Sequence, residues 1–181
     1  MAALIMTPPP LSLRPPRPSD AAALEAVVSD PEVALPTAAI PHPYPPGGAA
    51  EHLADLARRG ASGQEIAVAI IDGPDPETGS LIGMVTLRLD GEGGAALGYV
   101  LGRTWWGRGL MTEAVSRVLL LARDHPEIAR IEADVMVSNT RSAAVLTRLG
   151  FTETGRARAA FPARGREVEV RQFLLNLGNP V

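Results

Sequence analysis

The sequence predicts an α/β protein with a mixed sheet, α+β by stricter usage. Three observations carry this. Apolar runs of strand length recur along the chain, each bounded by glycine- and proline-rich turns. The runs at 64–71 and 81–89 lie one turn cluster apart and should pair as an antiparallel hairpin. A strand–helix–strand unit spans 95–137 and should be a right-handed crossover between parallel strands.

The elements follow in order. Residues 1–10 end in Thr7-Pro8-Pro9-Pro10 and read as a loose tail. One domain is expected over 11–177, with a short tail at 178–181. "LSLRPPR" (11–17) reads as an edge strand, because its prolines bar a central place. Ser19 and Asp20 open a helix that Pro31 closes. "PTAAIPHPYPPGG" (36–48) holds too much proline and glycine for a regular element. "AAEHLADLARRG" (49–60) is an amphipathic helix with Leu53, Leu56 and Ala57 on one side and Gly60 as its stop. Strands at 64–71, 81–89 and 95–102 come next, divided by "DGPDPETGS" and "DGEGG". A helix beginning at about Thr112 follows, with Met111, Ala114, Val115, Val118, Leu119 and Ala122 as its apolar stripe. "IARIEADVMV" (128–137) is a strand. The helix at 139–150 is capped by Ser138 or Asn139 and ended by Gly150. "FTETGRARA" and "EVEVRQFLLN" close the chain as a strand pair.

Composition narrows the function. The 181 residues are 46% hydrophobic and 20% charged, which suits one domain with a full core. The net charge of −3 argues against non-specific nucleic-acid binding, which rests on neutralising phosphates. With no cysteine, disulfides, Cys-ligated zinc and thiol catalysis are excluded. His42, His52 and His125 show no ligand-like spacing, so no metal is expected. The N-terminus lacks the basic region and apolar length of a signal peptide, and no run reaches membrane-spanning length. A cytoplasmic protein is expected.

The chemistry concentrates in "RTWWGRGLMTEAVSRVLLLAR" (103–123). A helix N-terminus carries unpaired N–H groups and a partial positive charge. Gly107 and Gly109 let the backbone approach a ligand, so the turn Gly107-Arg108-Gly109 can cradle an anion, with Arg103 and Arg108 adding charge. The turn is neither a G-x-x-x-x-G-K-[ST] loop nor a G-x-G-x-x-G fingerprint. A plain strand-to-helix turn fits this stretch equally well. Trp105 and Trp106 read as packing where the helix begins, with Trp106 equally placed to contact a ligand.

"ALGYVLGRTWWGRGLMTEA" is followed about 30 residues on by "VSNTRSAAVLTRLGF". This tandem resembles the GNAT acetyltransferases, in the branch that includes the bacterial ribosomal-protein N-terminal acetyltransferases. That branch reads roughly "GYWL…YWGxGxxTEA", then "NxxSxxVLxKLGF". The resemblance runs from about Leu11 to Asn176. It implies a twisted sheet of six to seven strands flanked by about four helices, with a splay between the two central parallel strands. It also implies acetyl-CoA as co-substrate, an amine acceptor and, plausibly, a homodimer. The superfamily pattern Q/R-x-x-G-x-G/A falls on Trp106, Gly107, Arg108, Gly109, Leu110 and Met111. Only Gly109 matches it strictly, and the pyrophosphate bonds come from backbone N–H groups. Tyr99, Val100 and Leu101 would pair through their backbone with the pantetheine amides, and Asn139 would hold the same arm; a plain helix N-cap is the alternative for Asn139.

The same resemblance implies that Ser142 lies near the thioester sulfur and protonates the leaving thiolate; a solvated helix serine is the alternative. The general base is harder to place. Two positions that bear a glutamate in relatives are Ala96 and Phe161 in this chain. His42, in the loop "PHPYP", is the leading substitute, since its unperturbed pKa suits a base. Glu92, Asp90 and Glu132 are further candidates. Tyr44 and Phe161 are placed to shape an acceptor pocket. Arg156, Arg158, Arg164 and Arg166 read as a solvated hairpin or as a docking surface for an acidic partner. An N-acetyltransferase leads; an acyl-CoA-binding module with little turnover and a nucleotide-binding domain compete with it.

Overall fold

The computed structural model describes residues 11–178. The tail expected at 1–10 lies outside the described residues, as does most of that at 178–181. Seven strands form one sheet in the order β1-β2-β3-β4-β5-β7-β6. They are β1 (Leu11–Arg14), β2 (Glu65–Asp72), β3 (Leu81–Leu89), β4 (Gly94–Leu101), β5 (Arg130–Met136), β6 (Thr152–Phe161) and β7 (Arg166–Asn176). The α-helices are α1 (Ala21–Val28), α2 (Pro31–Ala34), α3 (Gly48–Ala61), α4 (Leu110–Arg123) and α5 (Thr140–Arg148).

α1 ends at Val28, ahead of Pro31 as expected, but Pro31 also begins a fifth helix, one more than expected. Asp30 accepts a hydrogen bond from the Glu32 N–H at 2.9 Å and Pro31 takes the first helical position. Its missing N–H costs nothing there, so the proline starts a helix.

Every neighbouring strand pair is antiparallel except β4 and β5. The chain passes between them through α4, so the parallel strand–helix–strand unit is present as expected. Side-chain alternation divides the core between the two faces of the sheet. Val85, Leu87, Val115, Val118, Ile131 and Leu146 are buried on the face covered by α4 and α5. Leu24, Leu53, Leu56, Ile71 and Met84 fill the face under α1 and α3.

The two central strands stay together only briefly. β4 and β5 pair at Gly94↔Arg130, Ala95↔Ile131 and Ala96↔Glu132, and no further. Beyond Ala96 the strands part, leaving one edge of β4 open in the middle of the sheet. This is the expected splay.

Candidate active site

The turn before α4 is built for exposed amides. Gly107 and Gly109 have φ of 75° and 77°, a region that side chains disfavour. A Cβ at either would meet nothing within 4 Å, so backbone conformation rather than space demands glycine. Gly109 caps α4, whose first backbone bond runs from Glu113 N–H to the Gly109 carbonyl at 3.0 Å. The helix thus starts at Leu110, two residues before the expected start. Among the described residues, no backbone or side-chain acceptor takes the N–H groups of residues 107–112. The Leu110 and Met111 side chains turn into the core, which anchors this run of donors from behind.

Guanidinium groups flank the turn. Arg108 lies 5.0 Å over the Trp105 ring and donates to the Thr104 carbonyl. Arg141, from the first turn of α5, lies 4.3 Å over Trp106. Such stacks hold a cation without neutralising it. Among the described residues no carboxylate pairs with Arg103, Arg108 or Arg141. The C-terminal arginines differ: Arg156 pairs with Glu169, Arg158 with Glu167, and Arg164 donates to the Ala34 and Leu35 carbonyls. Among the described residues Arg166 has no carboxylate partner, so two of the four charges in this cluster are paired with acids. All 17 basic residues of the chain are arginines; lysine is absent.

The open edge of β4 has a definite parity. Gly102 N–H donates to the Ile82 carbonyl at 2.8 Å, and the ladder with β3 matches Val100 to Met84 and Gly98 to Thr86. Bonded and non-bonded pairs alternate in an antiparallel ladder. Even-numbered residues of β4 therefore bond to β3, and Tyr99 and Leu101 turn their backbone groups to the splay. Val100 faces β3 with its N–H and carbonyl, so its backbone does not line the gap. The Leu101 carbonyl is already taken, by the Trp106 Nε1–H at 2.8 Å. The free groups are the Tyr99 N–H and carbonyl and the Leu101 N–H.

Across the gap stands the first turn of α5. The Asn139 side chain accepts from Ser142 N–H at 3.2 Å, so Asn139 is the N-cap. Its amide NH2 keeps two donors. The Tyr99 hydroxyl lies 2.7 Å from Ser142 Oγ and 3.2 Å from the Ser142 carbonyl oxygen. Burial pushes the Tyr99 phenol up to about 12, against the lowering effect of its Ser142 bond. The sequence directs attention to the Tyr99 backbone; its side chain, reaching a residue 43 positions away, was missed.

The base candidates scatter. His42 is exposed on the loop between α2 and α3 and is no partner of the Tyr99–Ser142 pair. Tyr44 is half-buried against the α1–α3 core, and burial raises its phenol, with Glu25 and Glu51 adding to the effect. Phe161 is buried at the end of β6. Asp90 accepts the Glu92 and Gly94 N–H groups, which lower its pKa, and binds Arg130. Glu132 also pairs with Arg130. Asp90, Glu92 and Glu132 thus sit at the end of β4 where β5 is still joined. Ala96 is exposed and bears no ionisable group. Among the described residues no group of three or more His, Asp or Glu is placed to hold a metal ion, and no helix is long and apolar enough to cross a membrane.

A cradle of amides, a splayed strand edge and a capped helix facing it make up the candidate site on this α/β sheet. The model of the acetyltransferase (GNAT) domain matches residues 11–152, and the chain belongs to that family. It is 38% identical over 101 residues to an uncharacterized N-acetyltransferase, p20, of Bacillus licheniformis, covering 55% of this chain and 57% of that protein. It is 36% identical over 87 residues to a ribosomal protein uS5-alanine N-acetyltransferase of Escherichia coli (strain K12), covering 46% and 45%. The matched stretch spans about half the length of these curated relatives. A solved ribosomal L7/L12 α-N-protein acetyltransferase, RimL, in complex with coenzyme A, superposes with a TM-score of 0.79 at 20% identity, over 92% of this chain and 94% of that one. At that identity the likeness speaks for the fold.

Proposed function

We propose that the chain is an N-acetyltransferase that moves an acetyl group from acetyl-CoA to a primary amine, either a protein N-terminus or a small amine. The observation that carries this is the run of unpartnered N–H groups at 107–112, set beside the splay that ends at Ser142. The amides and the α4 dipole hold the pyrophosphate. Arg108 and Arg141 supply charge from their indole perches, and Trp106 joins the site by holding Arg141. The Tyr99 N–H and carbonyl and the Leu101 N–H extend the sheet to the pantetheine arm. Val100 contributes through its place in β4 rather than through backbone bonds. The Asn139 amide reaches the same arm.

The donor lies on the α4–α5 side and the acceptor comes through the splay from the α1–α3 side, where the His42 loop stands. The amine nitrogen attacks the thioester carbonyl carbon, the carbon–sulfur bond breaks, and the Ser142 Oγ–H protonates the sulfur. Most of the acceleration comes from holding amine and thioester in line. With no carboxylate at Ala96 or Phe161, the attacking amine arrives neutral or loses its proton to His42 or water. The names of the relatives favour turnover over a binding module.

The test is thiol release from acetyl-CoA with short peptides of varied N-termini, polyamines and aminoglycosides. The absence of cysteine keeps the protein's own background at zero. Amine-dependent release is expected, reduced about 100-fold in Ser142→Ala if Ser142 supplies the proton. His42→Ala assigns the base: a loss of rate restored by added imidazole gives that role to the His42 side chain, and an unchanged rate gives it to water. Saturable CoA binding without release from any amine would overturn the transferase reading.

A further inference from the structure

The Tyr99–Ser142 contact crosses from the splayed strand to the helix that faces it. The Asn139 cap fixes the Ser142 main chain through its N–H. It does not fix χ1, for which a serine has three staggered choices. Among the described residues, Tyr99 is the hydrogen-bond partner of Ser142 Oγ. The phenol therefore selects the direction in which that oxygen points.

The phenol has one proton and two places to give it. Given to the Ser142 carbonyl, at 3.2 Å, it leaves Ser142 to donate its own proton to the phenol. Given to Ser142 Oγ, at 2.7 Å, it leaves the serine proton free to point elsewhere. The two arrangements differ only by rotation about two C–O bonds. Burial keeps the phenol protonated through any working pH, so Tyr99 enters the step as a donor to Ser142 and not to the sulfur itself.

We propose that Tyr99 is a positioning residue for departure of the thiol: it aims Ser142 Oγ and, by turning its O–H from the Ser142 carbonyl to Oγ, releases the serine proton toward the leaving sulfur. This rests on the transferase reading above. The balance is closed. The nitrogen–carbon bond forms, the carbon–sulfur bond breaks, and the sulfur takes the Ser142 proton. Ser142 Oγ takes the Tyr99 hydroxyl proton along their hydrogen bond as its own proton leaves, and the phenol regains one from solvent. The amine gives up one proton to base or solvent, and Tyr99 ends as it began.

The experiment is a double-mutant cycle in the full chain. Tyr99→Phe, Ser142→Ala and the pair are assayed for kcat and KM of acetyl-CoA with the best amine of the panel, and CoA affinity is measured by calorimetry. Tyr99→Phe should lower kcat about tenfold, the loss of one aimed hydrogen bond, with CoA affinity unchanged. The double variant should match Ser142→Ala alone, because Tyr99 acts only through Ser142. Multiplied losses in the double variant, or a Tyr99→Phe loss that appears as weaker CoA binding, would overturn the proposal. A fluorinated tyrosine at position 99 keeps the shape and lowers the phenol pKa. It should add an alkaline limb to kcat, since a phenolate cannot donate to Oγ; an unaltered profile counts against the idea. Absence of thiol release from the unmutated protein would instead sink the transferase reading on which this stands.

Discussion

Asp20 accepts three hydrogen bonds of 2.7 Å, two from the Arg14 guanidinium and one from the Arg17 N–H. Arg14 and Asp20 are buried at 9% and 6% exposure, so this is an internal ion pair that ties β1 to the start of α1. The Arg14 bond, aided by the Arg17 N–H, holds the Asp20 carboxyl below its ordinary value despite its burial. A depressed folded-state pKa adds stability above the unfolded value, near 4, and that share is lost as pH falls through the folded one. Asp20→Asn should therefore cost about 3 kcal/mol at neutral pH, chiefly because it strands a buried guanidinium. Urea unfolding at pH 7 and at pH 3 measures both points: the gap between the two proteins should narrow in acid.

The joint between β4 and α4 depends on Trp106 twice. Its Nε1–H occupies the Leu101 carbonyl at the end of β4, and its ring carries Arg141 from α5. Trp106→Phe keeps a ring for the arginine and loses the hydrogen bond. It should lower stability by about 1 kcal/mol, and Trp106→Ala by more. Chemical denaturation of the two variants separates the parts. Here the limits of the sequence are visible. The hairpin β2–β3, the crossover β4–α4–β5 and the terminal pair β6–β7 were legible, because periodicity and turn residues are local signals. Pro31 was read in part: the helix before it does end, but the short helix it begins depends on the Asp30 cap, which the proline alone does not announce. Gly107 and Gly109 announced their turn. The Val100 parity was not legible, since the register between two strands is set by their pairing. Nor was the Tyr99–Ser142 pair, which exists only because the crossover brings α5 against an opened strand.

For the molecule as a whole, the sheet separates two chemistries. One face is closed by α4 and α5, which present the amide cradle and the capped serine. The other lies under α1 and α3, with the proline-rich loop at its margin. The Ala163 N–H bonds to the Ala38 carbonyl, so the turn between β6 and β7 is fastened to that loop. The three-pair joint of β4 and β5 keeps both halves in one sheet while leaving the rest of that β4 edge unpaired with β5. A long pairing would use up that edge, and no pairing would divide the core.

The choice of arginine throughout has a further chemical meaning. A guanidinium is permanently protonated, whereas a lysine amine near a thioester can lose its proton and take the acyl group itself. On the function proposed above, an acyl donor held among Arg103, Arg108 and Arg141 would meet no side-chain amine. Such a catalyst would be chemically blind to its own surface, and the donor would wait for an acceptor from outside. Prolonged incubation with acetyl-CoA, followed by peptide mass spectrometry, should find no stable acetyl group on any basic side chain; acetylated arginine would contradict this.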